Sequence, residues 1–327
     1  MKLLLDIKIN EPEVKIDYRD KIMLVGSCFT EHIGDSLADL KFQVMQNPNG
    51  IVFDPSTVAS SITSYIENKK YYPAELIQLN ELWQSWQHHS RYSGVNRDEV
   101  LNTINNSQQE AHEFLKEAKW LIITLGTSFS YRLTDGSRPV ANCHRAPSGW
   151  FDKHMMSIDE TITSLDTMLY RLFQFNSSIN IIFTVSPVRH IRDGIIDNNR
   201  SKARLLEAVH HLVNKFSRLH YFPSYELVID VLRDYRFYDI DLVHPNFQAT
   251  SYVIEQFMNH YVNESSVTLS KEIEKIVIAR KHKPFQPETD AHKNFLKLHA
   301  ERTKSLMSSY PFLSLQEELD FFGQGHA

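Results

Sequence analysis

The sequence predicts an α/β protein built on a mainly parallel, doubly wound sheet and followed by a C-terminal helical extension. Three observations carry this prediction. Short apolar runs without polar alternation recur along the chain, as strands covered on both faces require. Helix-length stretches lie between them, as right-handed crossovers between parallel strands require. Polar residues cluster directly after the runs, on the edge where open α/β sheets bind ligands.

The first run is residues 22–25 (IMLV), and the pattern over 29–40 is that of a helix. Residues 42–45 (FQVM) add a further short strand. A helix over 97–119 leads into the second run, 120–125 (WLIITL). A helix over 157–175 leads into the third, 179–185 (INIIFTV), and a helix over 200–219 follows it. A weaker apolar run at 227–230 (LVID) is read as another strand. Pro245 suits a first helical position and opens a helix to residue 261. From about residue 265 the texture changes to Lys- and Glu-rich sequence with Pro284 and Pro287, then a helical stretch over 290–309. The chain therefore divides into a domain over 1–264 and a helical extension over 265–327 that packs on it.

The bulk composition narrows the function. The chain has 327 residues, 42% of them hydrophobic and 23% charged, which suits one large domain with an appendage. A formal net charge of −5 offers no basic field for phosphate backbones, so nucleic acid is not an expected partner. Cys28 and Cys143 are the two cysteines, too few for a disulfide framework and suited to a reducing compartment. The apolar run at residues 3–5 is cut off by Asp6, and no stretch approaches the roughly 20 apolar residues of a membrane-spanning helix. The expectation is a soluble, cytoplasmic protein without membrane insertion, for which a homo-oligomer is compatible. With no GxGxxG or GxxxxGK[ST] pattern, no nucleotide cofactor is expected.

Gly26-Ser27 stands at the first strand-to-helix junction. Glycine allows a sharp turn there, and the serine is set at a helix N-terminus, whose free N–H groups and dipole favour an oxyanion. A serine in that position is equally at home as a helix cap. Cys28 is the rival nucleophile, since helix N-termini lower thiol pKa, but packing is the favoured reading for it. Asp241-Leu242-Val243-His244 spaces a carboxylate and an imidazole so that the acid reaches Nδ1 and leaves Nε2 outward. His88-His89-Ser90-Arg91 is a dense polar group; adjacent histidines poorly share one tetrahedral ion, so no metal site is expected. His89 and Arg91 are instead read as pocket residues, Arg91 suiting a carboxylate or phosphate. Arg189 and His190 follow the third run on the ligand edge, with Arg189 either binding an anionic group or pairing with Asp193 or Glu226.

The Ser27 and Asp241/His244 motifs resemble those of the SGNH (GDSL-like) hydrolase superfamily. More narrowly, Gly26-Ser27-Cys28-Phe29-Thr30 is similar to the signature of the GSCFA-domain family, with Thr30 where alanine is usual. Further similar segments follow in order, among them those at 47–51, 88–91, 125–127, 141–144, 184–190, 221–226 and 241–245. The resemblance implies a three-layer α/β/α sandwich and an acyl-transfer site with Ser27 as nucleophile, His244 as base and Asp241 as its orienting acid. Substrate contacts are expected at Asn47, His89, Arg91, Arg189 and His190. The sequence departs from the wider superfamily in reading GSC, not GDS, and in carrying Gly126-Thr127-Ser128 where Gly-x-Asn supplies an oxyanion donor. Replacement donors are the backbone N–H groups of Ser27 and Gly126 and the side chains of Thr127, Ser128 or Asn142. The expected function is a serine-dependent acyl-ester hydrolase acting on a small-molecule or carbohydrate ester. The alternatives are an acyltransferase using the same site and a non-catalytic binding module on the same scaffold.

Overall fold

A computed structural model describes residues 5–135 and 139–323. The start of the apolar run at 3–5 and the last four residues of the C-terminal extension lie outside it. Strand β1 (Lys21–Gly26) leads into α1 (Cys28–Asp39), and β2 (Gln43–Gln46) follows. Helix α2 (Pro55–Ile66) comes next, then a small hairpin, β3 (Ile77–Leu79) with β4 (Leu82–Gln84). Helix α3 (Arg97–Glu117) enters β5 (Trp120–Leu125), and β6 (Phe129–Leu133) pairs antiparallel with β7 (Phe151–Met155). Helix α4 (Ile158–Phe175), β8 (Asn180–Val185), α5 (Ile195–Lys215) and β9 (Leu219–Tyr221) complete the sheet. The remaining helices are α6 (Ser224–Glu226), α7 (Phe247–Tyr261), α8 (Glu264–Lys281), α9 (Asp290–Ser309) and α10 (Gln316–Gly323).

The main sheet has five parallel strands in the order β2-β1-β5-β8-β9. Strand residues alternate between two cores, which makes three layers. Ile22, Leu24, Trp120, Ile122 and Ile182 face α1, α7 and α8 through Ile33, Phe257 and Ile273. Met23, Val25, Leu121, Ile123 and Phe183 face α2 to α5 through Ile62, Leu115, Leu169 and Leu205. Strand order reverses between β1 and β5, so the topological switch point falls where Ser27 and Gly126 emerge.

Two expectations change. Residues 227–230 are not a strand: Leu227–Leu232 form a π-helical turn continuing α6. The buried positions Leu227, Val228, Val231 and Leu232 recur with helical spacing, and β9 takes the edge position instead. Pro245 precedes the helix and is not its first residue. Asn246 is the cap, its side chain accepting from the N–H groups of Gln248 and Ala249.

At the C-terminal end, Leu269 and Ile273 of α8 join the first core together with Leu313 and Leu315. Helices α8, α9 and α10 share a smaller cluster of Ile276, Leu296, Ala300 and Phe322. The buried Glu318 of α10 accepts ion pairs from Lys41, at 2.8 Å, and Arg280, at 2.7 Å. Among the described residues, no helix is long and apolar enough to cross a membrane.

Candidate active site

Ser27 is fixed by the crossing of β1 and β5. Its N–H donates to Thr124 O at 3.1 Å, and the Gly26 N–H donates to the Asn47 side chain at 2.8 Å. Gly26 has φ +155°, and a Cβ there would lie 2.3 Å from Thr124 O, so only glycine lets the strands meet this closely. Ser27 is the N-cap of α1, yet its side chain makes no capping bond, and its buried Oγ has no hydrogen-bond partner among the described residues. The first N–H groups of a helix lack intrahelical acceptors, and the Ser27 side chain caps none of those of α1.

Ser27 opens into a cleft of about 500 Å³ that Asp241 and His244 also line. His244 Nδ1 lies 2.6 Å from Asp241 Oδ2. Asp241 Oδ1 accepts the N–H groups of Val243 at 2.9 Å and His244 at 3.0 Å. These bonds, the His244 side chain foremost, hold the Asp241 carboxyl at a pKa of about 2, so it stays an anion beside the imidazole. The Arg189 N–H donates to Val243 O at 3.2 Å and ties this loop to the end of β8. Ser27 and His244 thus face one cleft, with no hydrogen bond joining them.

His190 lines the same cleft. A Cβ on Gly126 would meet Phe53 Cβ at 2.9 Å, His190 Nε2 at 3.2 Å and Ser27 Cβ at 3.4 Å, so these groups crowd around one glycine. Burial, and then the Lys202 charge, push the His190 pKa down to about 4, leaving a neutral ring near neutrality. Its backbone N–H is held by Asn198 at 2.9 Å.

The expected oxyanion donors are largely engaged elsewhere. The N–H groups of Gly126 and Thr127 both donate to Phe53 O, at 2.7 and 3.3 Å. Thr127 lines the cleft but shares its hydroxyl with Ser201 at 2.9 Å. Ser128 is fully buried, its N–H on Ser201 Oγ at 2.7 Å. Asn142 stands in an adjoining cleft, where it accepts the His144 N–H at 2.8 Å.

Of the expected substrate contacts, Arg189 and His190 line the cleft. Arg189 pairs with neither Asp193 nor Glu226: it lies 4.5 Å from the Tyr238 ring centre and donates to the Tyr235 hydroxyl at 3.1 Å. Asn47 is buried beneath the turn. Arg91 bonds Asn47 O at 2.9 Å and pairs with Glu31 at 3.2 Å, and His89 caps the turn that carries Arg91. These three sit behind the α1 start, off the cleft lining. His88 is buried on Ser85 Oγ at 2.9 Å, and burial pushes its pKa to about 3. Among the described residues, no group of three or more His, Cys, Asp or Glu is placed to hold a metal. Burial also pushes the Cys28 thiol up, away from a reactive thiolate.

Sequence reasoning missed Lys202. Its ammonium is fully buried below the cleft and bonds the carbonyls of Gly126 and Ser186, the first residues after β5 and β8, each at 2.5 Å. Burial lowers its pKa to about 7. The available signal was a lysine inside the apolar stripe of α5, where Asn198, Ser201, Leu205, Val209 and Leu212 are buried at helical spacing.

Comparison with known proteins gives a family. The chain matches the family model described as GSCFA family over residues 21–257. It matches the one described as GSCFA domain protein, C-terminal domain, over 273–325. A solved acetyl xylan esterase from the rumen bacterium Butyrivibrio proteoclasticus aligns at 10% identity and TM-score 0.37, covering 75% of this chain. The chain spans 65% of that esterase's length. No curated protein matches it.

Proposed function

The chain belongs to the GSCFA family, and we propose that it is a serine-dependent acyl-ester hydrolase that works through an acyl-enzyme on Ser27. The observation that carries this reading is one cleft holding an uncapped, unpartnered Ser27 hydroxyl and an imidazole whose Nδ1 is fixed by a carboxylate. A helix-start serine whose side chain does not cap is released from the ordinary role of such serines.

Ser27 Oγ attacks the ester carbonyl carbon, and its proton passes to His244 Nε2. Asp241 holds the imidazole in the tautomer with Nε2 free and stabilises the imidazolium that forms. The carbonyl oxygen gains negative charge and is met by the Cys28 N–H at the positive end of α1, with the neutral His190 as a second donor. Collapse breaks the C–O bond, and the leaving alkoxide takes the proton from His244. Water then attacks the Ser27 acyl group, giving its proton to His244, which returns it to Ser27 Oγ as the acid leaves. An alcohol in place of water turns the same cycle into acyl transfer. The apolar walls of Ile51, Phe53, Phe129 and Val188 suit a small acyl group.

Turnover of p-nitrophenyl acetate, with fluorophosphonate labelling located by mass spectrometry, tests the assignment. Label on Ser27, lost with turnover in Ser27→Ala, is the expected result. Equal turnover by both proteins removes Ser27 as nucleophile. Iodoacetamide inactivation without fluorophosphonate labelling transfers the role to Cys28.

A further inference from the structure

A second cleft of about 550 Å³ adjoins the first, and Phe53, Tyr131 and Arg192 line both. Its walls add the ring of Phe151 and two more cations, Arg145 and Lys153. The charge there is not balanced. Lys153 is ion-paired with Asp193 and lies over the Phe129 ring. The acid on the floor, Asp54, is buried and spends its oxygens capping α2 through the N–H groups of Ser56 and Thr57 and the Thr57 hydroxyl. Burial raises its pKa to about 6, so it is largely ionised near neutrality, but these capping bonds hold its oxygens and no ion pair joins it to Arg145 or Arg192. Among the described residues, no carboxylate lies within ion-pair distance of Arg145 or Arg192.

The backbone that presents Arg145 is strained. His144 and Arg145 are successive non-glycine residues with φ of 50° and 60°. Such conformations cost on the order of 1–3 kcal/mol each and persist only where surroundings enforce them. Here the enforcement is visible. The His144 N–H donates to Asn142 Oδ1 at 2.8 Å, its buried ring meets Ser85 O at 2.8 Å, and the Ala146 N–H donates to Cys143 O at 2.8 Å. The turn is pinned from beneath while the Arg145 side chain stays exposed on the cleft wall.

We propose that this second cleft binds an anionic group, carboxylate or phosphate, on the alcohol portion of the ester whose acyl group sits at Ser27. The guanidinium groups of Arg145 and Arg192 match either anion in bidentate geometry. The rings of Tyr131, Phe53 and Phe151 give the body of the substrate, a sugar ring or similar, an apolar face to lie on. The preferred substrate is therefore an acyl ester of an anion-bearing alcohol. This rests on the hydrolase reading for its acyl half, while the anion site stands on Arg145 and Arg192 alone.

The test separates the two. The full chain is assayed on acetylated methyl glucuronide and acetylated methyl glucoside. The expected result is a kcat/KM at least about tenfold higher for the charged ester, the scale of a charged hydrogen bond. Arg145→Gln abolishes that preference and leaves the neutral ester's kcat/KM unchanged, and Arg145→Lys restores part of it. Calorimetry on the Ser27→Ala protein then measures binding of methyl glucuronide, glucose 6-phosphate and methyl glucoside directly. Either anion binding well above the neutral sugar, with loss in the Ser27→Ala/Arg145→Gln protein, supports the site even if no ester is turned over; that pattern sinks only the hydrolase reading. Equal kcat/KM on the two esters, or no preference for either anion in calorimetry, overturns the proposal.

Discussion

Replacing Lys202 by methionine separates a charged buried lysine from a neutral one. The ammonium is fully buried and meets only two carbonyl oxygens, so its charged form is poorly compensated and its folded pKa falls to about 7. In the unfolded chain it titrates near 10.4. Below pH 7 both states hold the proton, and burial of the charge weighs fully against folding. Between about 7 and 10.4 the unfolded state binds more protons than the folded one, so stability rises with pH. The slope approaches about 1.4 kcal/mol per pH unit, and the integrated gain from pH 7 to 9 is about 2 kcal/mol. Lys202→Met removes this term and leaves the buried tyrosines as they are; it also relieves part of the depression of His190, whose titration near pH 4 lies below the assayed range. Urea unfolding of both proteins from pH 6 to 9.5 should give a wild-type-minus-variant stability difference that is flat below pH 7 and climbs above it. A difference constant across the whole range would refute the reasoning, because it means that Lys202 keeps its proton in the folded state.

Three further outcomes follow from the site. Asp241→Asn removes the carboxylate that orients His244 and should lower kcat on p-nitrophenyl acetate by about 100- to 10,000-fold with little change in KM; an unchanged kcat removes Asp241 from the mechanism. His190→Ala deletes a donor beside Ser27 and should cost roughly 10- to 1000-fold in kcat, with His190→Gln recovering part; equal kinetics in all three proteins mean that His190 only packs. Thr30 buries an unpartnered hydroxyl, so the isosteric Thr30→Val should stabilise the fold by about 1 kcal/mol in urea titrations, and a loss of similar size would show that the hydroxyl is satisfied in solution.

The fold was legible where burial was two-sided. The parallel strands β1, β5 and β8 were read from apolar runs, because layers cover both sheet faces and no solvent face imposes alternation, while the half-exposed edge strand β2 was read from the shorter 42–45 stretch. Residues 227–230 carry the same apolar density, and only the recurrence of burial at Val231 and Leu232 reveals a helical turn; a four-residue window cannot hold that period. Helix α2 was hidden for a different reason. Its buried face is built from Thr57, Ser61 and Ser64 beside Val58 and Ile62, so hydroxyls sit where an apolar stripe is sought. The hairpins β3–β4 and β6–β7 are short and half-exposed, with little apolar pattern to read.

The candidate site was legible as residues and illegible as donors. Ser27, Asp241 and His244 were singled out by type and spacing together with the family resemblance, but whether a backbone N–H is free depends on what crosses it in space. The strand crossing that positions Ser27 also engages its N–H with Thr124, and the loop that carries Phe53 engages the N–H groups of Gly126 and Thr127 with one carbonyl. Two expected oxyanion donors, the N–H groups of Ser27 and Gly126, are therefore occupied by the contacts that build the site. Helix α1 begins one residue later without a capping side chain, so in the proposed mechanism the charge falls to the Cys28 N–H. Position 128, where the Gly-x-Asn pattern puts its asparagine, carries Ser128, fully buried with its N–H on Ser201 Oγ. Gly126 has no room for a side chain against Phe53, His190 and Ser27, and the imidazole of His190 already occupies the space beside the serine. In the proposed mechanism a donor delivered from the end of β8, His190, takes the part of one delivered from the end of the neighbouring β5, a substitution that no local motif records.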